Sequence, residues 1–312
     1  MNNRTQPDRA PVNNAEFALS DALRQSGRFD AGQWQKYIEH EIGFVLPDMQ
    51  LQWLINAIEC TAISNGLTLE QLWIQLPKNS ELRQQFLDKV LIHESRFFRH
   101  KPSIDFVTKY ALQHQNANEV DSPFRIWSVG CASGQEAWSL AMSLSAEQLS
   151  NYCILGTDVS EQAIIDARLA QYDKRQQSLI PERCQQFVQP IATKNISRRL
   201  NTGDIADQSN MSNSTQSSWQ IASVLKPYVN FAVHNIIEQQ SPTSYLQNVI
   251  ICQNMLLYFR KFDQRDILAR LSEQCALAGY IILAPGEALF WRPSNMRRIA
   301  HPQVNVWQKI SA

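Results

Sequence analysis

The sequence predicts an α/β protein, a doubly wound and mostly parallel sheet preceded by a small all-helical N-terminal domain. Three observations lead there. After about residue 120, short apolar runs alternate with helical stretches, the pattern of strands joined by crossover helices and covered on both faces. Before about residue 90, apolar residues recur only at helical spacing. Between the two patterns lies a glycine-containing turn where the first strand passes into a helix, the place where sheets of this kind hold ligands.

Taken in order, residues 1–28 are rich in Asn, Arg, Pro and Ser and read as a flexible leader. Residues 29–90 form the helical domain. Leu51, Leu54, Ile55 and Ile58 lie on one helical face, as do Leu69, Leu72, Trp73 and Leu76, and Gly66 separates the two helices. Residues 91–312 form the second domain, with expected strands at 124–129, 153–157, 229–233, 249–252 and 280–283. Helices are expected at 136–149 and 264–275. In the latter, Ile267, Leu268, Leu271 and Cys275 share a face and Asp263 is placed to cap the start. The tail at 296–310 holds two short runs about Pro302 and should add an antiparallel hairpin at the sheet edge. The segment 201–220 is dominated by Asn, Ser, Gln and Thr and reads as a mobile polar insertion.

Bulk properties exclude several classes. Hydrophobic residues make up 44% of the 312, enough for a real core, and Lys and Arg balance Asp and Glu to a formal charge of zero. A nucleic-acid partner calls for basic excess, so none is expected. Apolar runs fall short of the roughly 20 residues that span a bilayer. No membrane insertion follows. The polar N-terminus lacks a signal-peptide core, and the six cysteines include no CxxC pair. The expected location is the cytoplasm.

The chemistry concentrates in Ser128-Val-Gly130-Cys-Ala132-Ser-Gly134-Gln-Glu136. Glycines at a strand-to-helix turn let backbone approach a ligand. The second strand ends in Gly156-Thr-Asp158, where an acid can accept from ribose hydroxyls. A dinucleotide fingerprint would need Gly at 132 and 135, where this chain has Ala132 and Gln135, and no Gly-Lys-Ser/Thr triplet marks a P-loop. S-adenosylmethionine has no phosphate to cradle, and its ammonium and sulfonium suit an acid such as Glu136. An ordinary turn, with Glu136 favouring a helix N-terminus, would look the same at this level.

Further blocks extend the pattern: Ser95-Arg-Phe-Phe-Arg99, Tyr228-Val-Asn-Phe231 with Asn235-Ile-Ile, and Ile250-Ile-Cys-Gln-Asn254-Met-Leu-Leu-Tyr-Phe259. In this order, over about residues 90–312, they resemble the receptor glutamate methyltransferase (CheR) family. The resemblance implies a Rossmann-like class I methyltransferase fold, S-adenosyl-L-methionine as cofactor, and a methyl-accepting chemotaxis-type receptor, met at its cytoplasmic region, as partner. By the same resemblance, Ser95 and Arg99 reach the cofactor site from the domain junction. Gly130 belongs to the cofactor turn, and Glu136 and Asp158 hold the methionine and ribose ends. Asn235 and Ile236 flank the adenine, and Gln253 and Asn254 line the floor near the sulfonium. Arg99 and Tyr258 are the catalytic candidates. A glutamate carboxylate is already a nucleophile and a sulfonium already an activated donor, so transfer needs alignment and exclusion of water but no general base.

Three departures from the family stand out. Gln253 replaces a common Arg, and Ala284-Pro-Gly-Glu287 replaces a Gly-His-Ser-Glu-like turn. The helical domain also lacks the family's basic helix, having no Lys or Arg between Lys36 and Lys78 while carrying Glu39, Glu41, Asp48, Glu59 and Glu70. Such divergence would suit a specialised system, such as the chemosensory pathway of type IV pili (a PilK-like branch). Two alternatives remain at this level. One is a methyltransferase acting on a small molecule or RNA. The other is a catalytically weak homologue serving as an S-adenosylmethionine- or receptor-binding regulator.

Overall fold

Residues 30–46, 50–91, 94–117, 122–191 and 218–311 are described by a computed structural model. The chain divides into one compact unit ending at Val90 and a second beginning at Leu91. The expected leader at 1–28 and residues 201–217 of the expected insertion lie outside the described residues.

The first unit holds helices α1 (Ala31–Ile42), α2 (Leu51–Ser64), α3 (Leu69–Gln75) and α4 (Ser80–Val90). Local chemistry sets their ends. Asp30 caps α1 by accepting from the Gly32 and Gln33 amides, and Gly43 ends it at φ 75°. Thr68 and Gln71 form a reciprocal capping box on α3. The apolar faces bury Trp34, Ile38, Leu54, Ile58, Leu72 and Phe86. Trp34 meets Trp73 edge-on at 4.9 Å and Phe86 at 5.5 Å. Trp73 is thus half-buried in that cluster, whereas Trp53 is 47% exposed and donates its indole N–H to the Val90 carbonyl at 3.0 Å.

In the second unit, α5 (Lys101–Ala117) precedes β1 (Phe124–Val129), α6 (Gln135–Ala146), β2 (Tyr152–Asp158) and α7 (Glu161–Leu169). After them come β3 (Gln171–Asp173), the one-turn α8 (Lys174–Gln177), β4 (Val188–Pro190), β5 (Ser218–Ile221), β6 (Val229–Val233) and β7 (Gln247–Cys252). The chain finishes with α9 (Lys261–Gln274), β8 (Cys275–Leu283), β9 (Met296–Ile299) and β10 (Asn305–Lys309). The main sheet runs β6-β2-β1-β7-β8-β10-β9. Its first five strands are parallel, and β10 and β9 add antiparallel at the edge. This is the predicted doubly wound, mostly parallel sheet, and the tail hairpin stands where the sequence put it. Order reverses between β1 and β7, because the chain first winds outward through β2 to β6 and then returns to the other side of β1. The carboxyl ends of β1 and β7 therefore open a crevice.

Some expectations need correction. The strand Ser218–Ile221 occupies the end of the expected 201–220 insertion, with Trp219 buried at 3% exposure. It pairs antiparallel with β3 and β4 in a second small sheet of order β3-β5-β4, which sequence reasoning missed. Asp263 lies inside the first turn of α9, whose N-cap is Arg260 without a side-chain bond. Cys275, read as the end of that helical face, instead starts β8 at ψ 131°.

Candidate active site

The turn after β1 takes left-handed backbone at Gly130 (φ 67°), Ala132 (φ 47°) and Gly134 (φ 88°). Two of the three are glycine for steric as well as torsional reasons. A Cβ on Gly134 would stand 2.9 Å from the Ala167 methyl and 3.0 Å from the Phe231 ring, and one on Gly130 would stand 3.0 Å from the Met255 sulfur. The turn is held from two sides. Asp158, at the end of β2, accepts from the Ala132 amide through Oδ2 at 2.9 Å and from the Ser160 amide through Oδ1 at 3.0 Å. Tyr172 on β3 donates its hydroxyl to the Ser133 carbonyl at 2.7 Å. The Ala132 and Ser160 amides fix the Asp158 carboxylate against the turn.

Glu136 stands in the first turn of α6 with its carboxyl packed among protein atoms, and Oε1 accepts from the Ser128 hydroxyl at 2.7 Å. Burial pushes its pKa up to about 7, opposed by the Ser128 hydroxyl and by the Arg99 guanidinium. Such a carboxyl is poised to gain from a cation brought beside it. The thiols of Cys131 and Cys252 nearby are pushed up by burial and stay protonated, so neither offers a thiolate.

Arg99 is exposed and donates through Nη1 to the Glu94 carbonyl at 2.7 Å. The half-buried Tyr258 lies within its field. Burial raises the Tyr258 hydroxyl pKa, while Arg99 lowers it and Glu94 raises it. The Arg99 charge thus acts on both Glu136 and Tyr258, which joins three of the predicted residues in one electrostatic neighbourhood. Ser95 is half-buried in the same segment. Phe97 is core, at 1% exposure and 4.8 Å edge-on to Tyr172, and the partly buried Phe98 sits at φ 51° with its amide on the Ser139 hydroxyl.

The other wall follows β6, where the Ile236 side chain is buried and its carbonyl accepts from Arg270 at 2.9 Å; Asn235 precedes it. The floor follows β7. Gln253 turns its amide N–H groups into protein, onto the Ser103 hydroxyl and the Leu283 carbonyl at 3.1 Å each. Asn254 adopts φ 58°, and its amide donates to Glu287 Oε2 at 3.3 Å. Burial raises the Glu287 pKa, and the amides of Ala284, Asn254, Leu257 and Leu256 oppose the rise by favouring its charged form. One carboxylate therefore ties the turn before Tyr258 to the loop after β8. The sequence reading did not single out Ser128, Tyr172 or Glu287 as site supports. Ser128 stood inside a quoted motif, but only the fold reveals what its hydroxyl touches.

Comparison with known proteins gives the family. Residues 93–203 and 193–304 match the family described as CheR methyltransferase, SAM binding domain. The chain is 23% identical over 288 residues to the chemotaxis protein methyltransferase Cher2 of Pseudomonas putida, covering 88% of this chain and 95% of that protein. It is 24% identical over 227 residues to chemotaxis protein methyltransferase 1 of Pseudomonas aeruginosa (70% and 74% covered). With chemotaxis protein methyltransferase 1 of Vibrio cholerae it shares 24% over 269 residues (81% and 87%).

Proposed function

The chain belongs to the CheR methyltransferase family, and we propose that it methylates glutamate side chains in the cytoplasmic region of a methyl-accepting chemotaxis-type receptor. S-adenosyl-L-methionine is the methyl donor. The site's own chemistry fits it. The turn at Gly130 and Gly134 leaves no room for a Cβ, and Glu136 is a desolvated acid that a cofactor cation would relieve. When bound, the cofactor supplies a methyl group already activated on a sulfonium.

The chain's residues then have distinct tasks. Gly130 and its neighbours carry the backbone against the cofactor. Glu136 takes the ammonium of the methionine end, Asp158 the ribose hydroxyls, and Asn235 and Ile236 the adenine. Asn254 lines the floor, and Gln253 holds that floor in place through Ser103 and Leu283. Ser95 borders the site beside Arg99. Arg99 orients the acceptor carboxylate, because guanidinium donors left over from the Glu94 carbonyl match a carboxylate's two oxygens. Tyr258, whose raised pKa keeps it protonated, offers an O–H on the same side. No proton need move, since the acceptor is a nucleophile at neutral pH.

The observation that carries this reading is the match of residues 93–203 and 193–304 to the CheR family, supported by the buried Glu136 carboxyl on the helix that follows the β1 turn. Incubation with methyl-labelled S-adenosylmethionine and receptor-bearing membranes tests it. Base-labile label on the receptor is the expected outcome, because carboxyl methyl esters hydrolyse readily. Base-stable label, or label only on RNA or small molecules, would refute it. Among the described residues no helix is long and apolar enough to cross a membrane.

A further inference from the structure

Beside Tyr258, three large apolar side chains stand out in solvent: Leu257 at 60% exposure, Phe262 at 70% and Leu289 at 58%. They belong to three segments that the fold ties together. The Glu287 carboxylate holds the Asn254 amide, at the start of the turn that carries Leu257, and that of Ala284. The Arg265 guanidinium, on α9, lies over the Phe290 ring at 5.6 Å from its centre. Single exposed apolar residues are unremarkable, but a joined group beside a reaction site is the pattern of a binding patch.

Its basic residues lie on one side. Lys261 and Arg265 are four residues apart and share the flank of α9 that faces the 284–292 loop. Asp266 lies four residues from Phe262 and borders it on the outer side, while Asp263 falls round toward the flank where Arg270 reaches the Ile236 carbonyl. Arg292, exposed on the loop, adds to the basic side and pins the Leu289 carbonyl at 2.8 Å. An apolar centre thus has a cationic border on the side of the 284–292 loop, and Leu257 immediately precedes Tyr258 in the chain.

We propose that this rim, formed by Leu257, Phe262 and Leu289 with Lys261 and Arg265, is the docking surface for the acidic, amphipathic segment of the partner that carries the acceptor glutamate. The inference rests on the acceptor assignment made above. A glutamate acceptor is itself anionic, and a segment offering several of them needs cations at its landing site. The helical unit has none between Lys36 and Lys78. The rim supplies them next to the reaction, together with the apolar contact that charge alone lacks.

The test uses the full chain and a receptor cytoplasmic fragment that the unaltered chain methylates. Lys261→Glu with Arg265→Glu should raise KM for the fragment about tenfold. Its kcat and its affinity for S-adenosylmethionine should stay unchanged, which also reports correct folding. The unaltered chain should lose kcat/KM as salt rises, and the charge-reversed variant should lose much less. Phe262→Ala with Leu289→Ala should raise KM while leaving the salt dependence intact, and Lys261→Arg with Arg265→Lys should restore unaltered behaviour. Unchanged KM in both the charge and the apolar variants would overturn the proposal. So would a changed sedimentation coefficient with unchanged KM, since the patch would then be a surface between copies of this chain. If the unaltered chain methylates no receptor fragment, the acceptor assignment fails first and this proposal falls with it.

Discussion

Glu136→Gln should make the cofactor-free protein more stable at alkaline pH and cripple cofactor binding. The carboxyl has its pKa raised from the ordinary 4.5 to about 7, chiefly by burial. A raised folded pKa means that folding favours the protonated form. The stability this group contributes is therefore complete below about pH 4.5 and lost as pH climbs through 7. At ~1.4 kcal/mol per pK unit, the loss is worth about 3 kcal/mol, and somewhat less because the residue keeps part of its exposure. Gln keeps an oxygen for the Ser128 hydroxyl, so that bond survives. Urea unfolding of both proteins at pH 5 and pH 8 should show the variant gaining 2–3 kcal/mol, in round terms about one such shift, relative to the native chain between the two conditions. Titration calorimetry supplies the other half. An ammonium beside Glu136 requires the carboxylate, so native affinity for S-adenosylmethionine should weaken about tenfold per pH unit below 7, while the variant binds poorly and without that slope. A stability difference that does not move with pH, or a flat native affinity between pH 6 and 8, would refute both the burial of this charge and its role.

Two further substitutions test the walls. Asp158→Ala removes the acceptor for the Ala132 and Ser160 amides as well as the assigned ribose contact, and should cost about 1–3 kcal/mol of cofactor affinity by calorimetry. An unchanged dissociation constant would remove Asp158 from the site. Tyr172→Phe deletes the hydroxyl that holds the Ser133 carbonyl, and should lower stability by about 1 kcal/mol in urea and cofactor affinity several-fold. A variant that is destabilised but binds normally would show that β3 supports the fold without shaping the turn.

The five parallel strands were legible as short apolar runs between helical stretches: 249–252 is continuous and fully buried, as a central strand requires, whereas 229–233 at the sheet edge alternates, with Asn230 exposed. The second sheet was not. Its strands are three or four residues long, as in Gln171–Asp173 and Val188–Pro190, too short for any alternation to register. The one available signal was Trp219, a large apolar residue at the end of a polar tract, and it packs 5.1 Å from Phe97. Cys275 misled for a different reason. Its spacing from Ile267, Leu268 and Leu271 fits a helix, yet the chain passes from α9 into β8 with no intervening loop, so a buried side chain suits either element.

The same division runs through the site. Residues whose chemistry is local, namely the glycines of the turn, Asp158 closing a strand and Glu136 opening a helix, announce themselves by sequence. Their supports do not, because topology brings Tyr172 and Glu287 in from 39 and 33 positions away from Ser133 and Asn254. Read as missing letters of a motif, Gln253 and Pro285-Gly286 keep the alternative of a weakened homologue open. In the fold, the Gln253 amide spans Ser103 and Leu283, and Glu287 gathers the amides of the floor turn and of its own loop. Both side chains are spent on holding backbone that faces the crevice. Glu287 is the part of the family's turn that this chain keeps, and it holds the start of the turn that leads into Tyr258. Gln253 therefore supports backbone through Ser103 and Leu283, and neither departure removes a group assigned to the reactants.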